Sequence, residues 1–262
     1  MIDIGVNLLN GQFRDDLDAV LERARQAGLS FMLVTSTDLR ETVDAIELSS
    51  RHQDLACTAG VHPHSAKAVQ TGWEKQLRRL ASAPKVLAIG ETGLDFNRNF
   101  SPPDSQRRVF QAQIELAAEL ALPLFVHDRD SDGAVAEMLA PFSADLVGVV
   151  THCFTGTRAD LERYLNAGYY IGITGWVCDT RRGEELQKLV PEIPLDRLLI
   201  ETDAPFLLPY GATSRFKKRN EPCLLHFIAE QIARLKDVDV GIIDKATSAN
   251  AQRLFNITQP LG

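Results

Sequence analysis

Short, nearly unbroken apolar runs alternate along this chain with longer stretches in which apolar residues recur at helical spacing. Ile2–Val6 reads as a strand, and Leu17, Val20, Leu21 and Ala24 then share one helical face that stops at Gly28, a residue suited to the left-handed C′ position. Phe31–Val34 is a second strand, Asp38 a candidate N-cap for the helix after it, and Leu55–Val61 a third strand. Val86–Gly90, Pro123–Val126, Leu146–Val150, Tyr169–Thr174 and Leu198–Ile200 complete a set of eight. Asp104 is placed to cap a long helix whose Phe110, Ile114, Ala117 and Ala118 share a face. Ala159–Ala167 reads as a helix ending at Gly168, and Pro222–Leu235 and Ile242–Phe255 read as closing helices.

Runs without polar alternation are expected of parallel strands buried on both faces, and helical crossovers favour that arrangement. A doubly wound open sheet competes with a (β/α)₈ TIM barrel. Eight strands, many of them ending in a polar functional side chain, favour the barrel of the metallo-dependent hydrolase type. The length of 262 residues suits one such domain spanning 1–262, and no linker, low-complexity tract or long repeat divides it.

The candidate chemistry lies at those strand ends. Glu91 follows Ala88-Ile89-Gly90, His127 follows Leu124-Phe125-Val126, and His152 follows Val149-Val150-Thr151. A carboxylate and two imidazoles converging at one end of a barrel are a candidate divalent-metal site. Asp203, in Glu201-Thr202-Asp203-Ala204-Pro205, is a candidate further ligand or proton acceptor, with a turn or capping Asp as the alternative. Glu201 stays unassigned. His62, bent away by Pro63, is placed to meet a phosphate oxygen or a leaving group, while His64 either joins it or caps the next segment. Arg129 either forks onto a phosphate or pairs with Asp130 or Asp95. His52 and His226 read as structural. Arg215 to Pro222 holds the chain's basic cluster around Phe216, either a solvated loop or part of a strand-binding groove.

Composition narrows the classes. A formal net charge of −7 argues against broad coating of nucleic acid by a positive surface, but not against a local basic groove or a metal that supplies charge. The four cysteines form no C-x-x-C pair and read as packing residues, with Cys153 directed away from the face that His152 takes, which points to a reducing cytoplasm. No apolar stretch is long enough to cross a bilayer, so a membrane role is not expected, and a monomer is.

Gly60-Val61-His62-Pro63-His64, Gly90-Glu91-Thr92-Gly93-Leu94-Asp95, His152-Cys153-Phe154-Thr155-Gly156 and Glu201-Thr202-Asp203-Ala204-Pro205 with Asn220-Glu221-Pro222 resemble, in order, the motifs of the TatD family of metal-dependent deoxyribonucleases. The resemblance runs over essentially the whole chain. It implies phosphodiester hydrolysis assisted by one or two divalent ions, Mg²⁺ before Mn²⁺ or Zn²⁺, with Glu91, His127 and His152 as ligands and Asp203 as a further ligand or the base. It also implies a 3′→5′ exonuclease on single-stranded DNA or RNA, linked to repair of oxidative damage. One departure stands out: much of the wider family opens with Asp-x-His-x-His, whereas this chain has Asp3-Ile4-Gly5-Val6-Asn7. A first metal site here is expected to be weaker and oxygen-rich, with the Asn7 amide oxygen as its donor. The rival readings are a hydrolase of another bond, such as an aminoacyl-tRNA ester, and a barrel that binds nucleic acid without turnover.

Overall fold

Eight strands form where the apolar runs are densest: β1 Ile2–Val6, β2 Phe31–Val34, β3 Leu55–Ala59, β4 Val86–Asp95, β5 Leu124–Arg129, β6 Val149–Thr151, β7 Tyr170–Ile173 and β8 Leu198–Ile200. All seven neighbouring pairs are parallel and follow chain order, as expected of the (β/α)₈ barrel. The computed structural model describes residues 1–212 and 219–258. The helices between and after the strands are α1 Leu17–Gln26, α2 Leu39–Ser50, α3 Trp73–Ala81, α4 Pro103–Leu120, α5 Ala134–Leu139, α6 Arg158–Asn166, α7 Glu184–Leu189, α8 Leu225–Lys236 and α9 Val240–Phe255.

Local signals act as read. Asp38 caps α2 by accepting from the Arg40 and Glu41 amides, and Gly28 and Gly168 adopt φ +86° and +78° after α1 and α6. At α4 the expectation fails: Pro102 is the N-cap and Pro103 opens the helix, so Asp104 lies inside the first turn. Proline there forgoes an amide that would have had no partner. The strand ends also move. β4 runs on to Asp95 and β5 to Arg129, beyond the apolar runs Val86–Gly90 and Pro123–Val126.

Inside the barrel, Ile4, Leu33, Ala56, Ala88, Phe125, Val150, Tyr170 and Leu199, one from each strand, pack together with Ala251, Leu254 and Phe255 of α9. Two residues further along their strands, His127, His152 and Glu201 continue the columns of Phe125, Val150 and Leu199 toward the mouth. Glu91 breaks this parity with Ala88. The β4–β5 register shifts between Gly90 and Thr92, which turns it to the same face.

The seam between β8 and β1 is closed by bonds at the strand ends. Asp203 N donates to Gly5 O (2.8 Å) and Asn7 N to Ala204 O (2.8 Å). The buried Asp3 carboxylate accepts from Thr202 N (3.0 Å), Thr202 Oγ1 (2.5 Å) and Gly5 N (3.2 Å). Burial still pushes the Asp3 carboxyl up to about 7 against these donors.

Candidate active site

One oxygen organises the mouth of the barrel. Glu91 Oε1 lies 3.1 Å from His62 Nε2, 3.1 Å from His127 Nδ1 and 2.8 Å from His152 Nε2. Glu91, His62 and His152 are all buried. A carboxylate oxygen has two lone pairs, so three nitrogens exceed what it accepts as a hydrogen-bond hub. A cation held by this oxygen and two of the nitrogens would relieve the crowding.

The tautomers separate the three imidazoles. His64 N donates to His62 Nδ1 (3.0 Å), which makes His62 the cap of the 3₁₀ turn Pro63–Ala68. Burial pushes His62 down to about 4 although Glu91 opposes it, so the neutral ring carries its proton on Nε2 and donates to Glu91. His127 and His152 are arranged differently. Their far nitrogens face carboxylates, His127 Nε2 toward Asp95 Oδ2 and His152 Nδ1 toward Glu201 Oε2, each at 3.5 Å. Both of those nitrogens and Glu201 Oε2 lack a hydrogen-bond partner. A metal-ligating His that presents its other N–H to a carboxylate gives this geometry, so the donor set fits a divalent ion on Glu91, His127 and His152.

The charges agree with that grouping. Burial works against a charge on Glu91, yet His152 and His62 hold its carboxyl well below the usual range. Burial likewise opposes protonation of His152, but Glu91 and then Glu201 raise its pKa well above the ordinary value. Ligand atoms of His62, Glu91 and His127 lie within 4.8 Å of one another, and His152 joins through Glu91.

Asp203 stands apart from this cluster. Its Oδ1 accepts from Asn7 Nδ2 (2.8 Å) and its backbone is left-handed, φ 53°. Burial pushes its carboxyl up to about 7, with the charges of His152, Glu91 and Glu201 acting on it without contact. Asn7 ties β1 to Asp203. Thr35 Oγ1 donates to Asn7 Oδ1 (2.9 Å) and the amide nitrogen meets Asp203. Asn7 therefore steadies the Asp203 carboxylate, while its amide oxygen keeps a second lone pair.

The remaining candidates divide. His64 Nε2 lies 2.6 Å from Asp95 Oδ2, and the His64 ring packs edge-on against His62. Arg129 ends β5 and forms no ion pair among the described residues: Asp95 holds His64 and the Arg98 amide, and Asp130 holds Asn97 Nδ2. Arg215, Phe216, Lys217 and Lys218 lie outside the described residues. Arg219, by contrast, is bound to Asp16 and Glu221 as a structural lock. His226 Nδ1 lies 3.0 Å from Cys223 O, and His52 Nδ1 3.3 Å from Arg25 Nη2, as structural residues do. Cys153 departs from strict alternation because its φ is 45°. Its Sγ rests 3.6 Å from Thr174 Oγ1, and burial together with the charges of Asp203 and Glu201 keeps the thiol protonated.

Two residues of the site had no functional role assigned from the sequence: Asp95, named there only as a candidate partner of Arg129, and Glu201, left unassigned. Their signal was positional: Asp95 ends a strand, and Glu201 shares strand parity with Leu199.

A parallel eight-stranded barrel with a buried His/Glu cluster at the C-terminal ends of its strands is the arrangement of a metal-dependent hydrolase. The chain belongs to the TatD related DNase family, whose profile matches residues 2–256. A relative from Erwinia tasmaniensis, named 3′-5′ ssDNA/RNA exonuclease TatD, is 51% identical over 259 residues, covering 98% of this chain and 100% of its own. The crystal structure of YJJV, a TatD homologue from Escherichia coli, superposes with TM-score 0.90 at 28% identity over 98% of each chain. A TatD family hydrolase from Entamoeba histolytica gives TM-score 0.88 at 29% identity, covering 97% of each. No helix among the described residues is long and apolar enough to cross a membrane.

Proposed function

We propose that this protein is a metal-dependent 3′→5′ exonuclease that hydrolyses single-stranded DNA and RNA. The observation that supports this most is the meeting of His127 Nδ1, His152 Nε2 and His62 Nε2 on Glu91 Oε1, in a chain of the TatD related DNase family. Glu91, His127 and His152 would hold the cation, Mg²⁺ or Mn²⁺. When bound, it supplies Lewis acidity that polarises a phosphoryl oxygen and makes water a stronger acid.

The chain's own residues supply the rest. His62 Nε2–H, held as a donor by the cap on Nδ1 and 3.1 Å from Glu91 Oε1, would turn from that oxygen to a phosphate oxygen bound beside it. Arg129, at the end of β5 without an ion-pair partner among the described residues, adds a positive charge for the phosphate. His64 rests on His62 and Asp95 and keeps the donor in line. Asp203, raised to about 7 by burial and oriented by Asn7, accepts a proton from the attacking water near neutral pH. A monomer in a reducing cytoplasm suits the four free cysteines, and sedimentation of the pure protein tests the first of these.

A time course on 5′-labelled single-stranded DNA with Mg²⁺, Mn²⁺, Zn²⁺ or EDTA tests the proposal. The expected result is a ladder that shortens from the 3′ end, stops in EDTA and is absent for Glu91→Ala. A strand left intact with every ion overturns the nuclease reading and shifts the case to ester substrates such as aminoacyl-tRNA.

A further inference from the structure

The three most exposed aromatic side chains among the described residues are Phe100 (53%), Phe206 (47%) and Tyr210 (65%). All three lie in loops that follow β4 or β8, at the barrel end that carries Glu91 and Asp203. Single exposed apolar residues are ordinary on protein surfaces. Three aromatics confined to the end that holds the site are not scattered in that way.

Phe100 is the best defined of them. Its ring packs edge-on against His64 at 4.6 Å, His64 packs against His62 at 4.3 Å, and His62 Nε2 is 3.1 Å from Glu91 Oε1. A row of three rings thus runs from the metal-binding carboxylate to solvent. The loop that presents Phe100 is fastened to the site itself. Asp95 Oδ1 accepts from Asn97 N (3.1 Å) and Arg98 N (2.8 Å), while its other oxygen faces His64 and His127. Gln106 bonds Asp95 N, Asp95 O and Ser101 O, and Ser101 Oγ donates to His64 O. The phenyl ring is therefore held out against the hydrophobic tendency to fold it inward. Arg98 sets its guanidinium over the ring, 5.9 Å from the centroid, with no carboxylate paired to it among the described residues.

An outward aromatic face next to a cation, one ring away from a phosphate-directed imidazole, has the chemistry of a platform for a nucleobase with its phosphate close by. We propose that Phe100 is a base-stacking platform for the nucleotide at the cleaved end of a single strand, with Arg98 attracting the adjoining phosphate. The inference rests on the nuclease reading above. Stacking needs only a π face, so the platform demands a base without selecting which one.

Kinetics on 5′-labelled single strands test this, using the full-length metal-loaded protein, Phe100→Ala, Phe100→Trp, and strands whose last or penultimate 3′ nucleotide is abasic. Phe100→Ala is expected to raise KM about tenfold with kcat changed less than threefold, and Phe100→Trp to restore the wild-type KM, since one base stacked on an aromatic is worth roughly that factor. An abasic end should raise the wild-type KM to the same extent and add nothing in Phe100→Ala. An equal abasic penalty in wild type and Phe100→Ala overturns the platform. Binding in EDTA of a strand carrying 2-aminopurine at its 3′ end gives a readout independent of cleavage. Quenching by the wild type that is lost in Phe100→Ala supports the platform even where the strand is not cut. No quenching by wild type refutes it. Failure to cut together with intact quenching refutes the nuclease reading alone.

Discussion

The two sides of the barrel mouth are built from different chemistry. Along β3 to β6 the strand ends bring His62, His127 and His152 onto one oxygen of Glu91. Across the seam of β8 and β1 no imidazole is present among the described residues, and Asp3, Asn7, Thr202 and Asp203 bond to one another. The first side leaves nitrogens and oxygens short of partners, as a cation site requires. The second has turned most of its donors and acceptors to closing the barrel, leaving Asp203 with one carboxylate oxygen to spare. Glu201 is the exception on the seam side: it is fully buried, its Oε1 accepts from Cys153 N (2.6 Å), and its Oε2 turns toward His152. It links the two halves.

The sharpest break in this contrast is Glu91→Gln. It removes the charge at the hub while keeping its shape, and kcat should fall by about a thousandfold or more with Mn²⁺ binding lost in calorimetry. Retained activity in a folded protein would refute the site. Next in size is Glu201→Gln. The amide keeps an acceptor for Cys153 N but presents an N–H to His152 Nδ1, which forces the wrong tautomer on a ligand. Mn²⁺ affinity should weaken by about 10- to 100-fold, followed by electron paramagnetic resonance of the free ion. An unchanged affinity would reduce Glu201 to a packing residue.

Gly5→Ala addresses the same contact from the other side of the seam. A Cβ at Gly5 falls 2.2 Å from Glu201 Oε2 and 3.1 Å from Phe125 Cζ, so the buried carboxylate must move. Thermal unfolding should show a loss of about 1–3 kcal/mol, with Mn²⁺ affinity reduced as in Glu201→Gln. A variant as stable and as tight as wild type would mean that the carboxylate has room the structure does not show.

The smallest effect concerns Asp3. Its folded pKa is raised from 3.8 to about 7, so between those values the folded chain binds more protons than the unfolded one and its stability falls as pH rises. The stability difference between wild type and Asp3→Asn should therefore drift against wild type by about 1 kcal/mol per pH unit between pH 4.5 and 6.5, then level off above pH 7. Parallel profiles for the two proteins would show that the seam donors hold Asp3 ionised.

Much of this was legible along the chain. Buried parallel strands need apolar side chains on both faces, so each announced itself as a run, and the polar residue closing a run marked Glu91, His127 and His152. What lay hidden depended on distance or on broken parity. Glu201 gains its meaning from Gly5 and His152, far away in sequence, and no local pattern tells that a missing Cβ at residue 5 makes room for a carboxylate. Asn7 shows an amide in the sequence, but only the distant Thr35 and Asp203 fix which way it turns. Asp104 lost its cap to Pro102 because two prolines shift the start of α4. Phe100 sits in a polar stretch, and only the Asp95 hydrogen bonds show how that stretch is fastened to the site.

The seam also sets when the site comes into being. Asp3 and Thr202 are 199 residues apart, and Asp203 is oriented by Asn7 across 196. A chain emerging from the ribosome can pair β1 through β6 and gather Glu91, His127 and His152 while β8 is still unmade. The half proposed to hold the cation is then present without the proposed proton acceptor, and the open edge of β1 waits for a partner. Synthesis of the last strand both closes the barrel and brings Asp203 to its mouth, so a chain truncated before residue 203 lacks that carboxylate altogether.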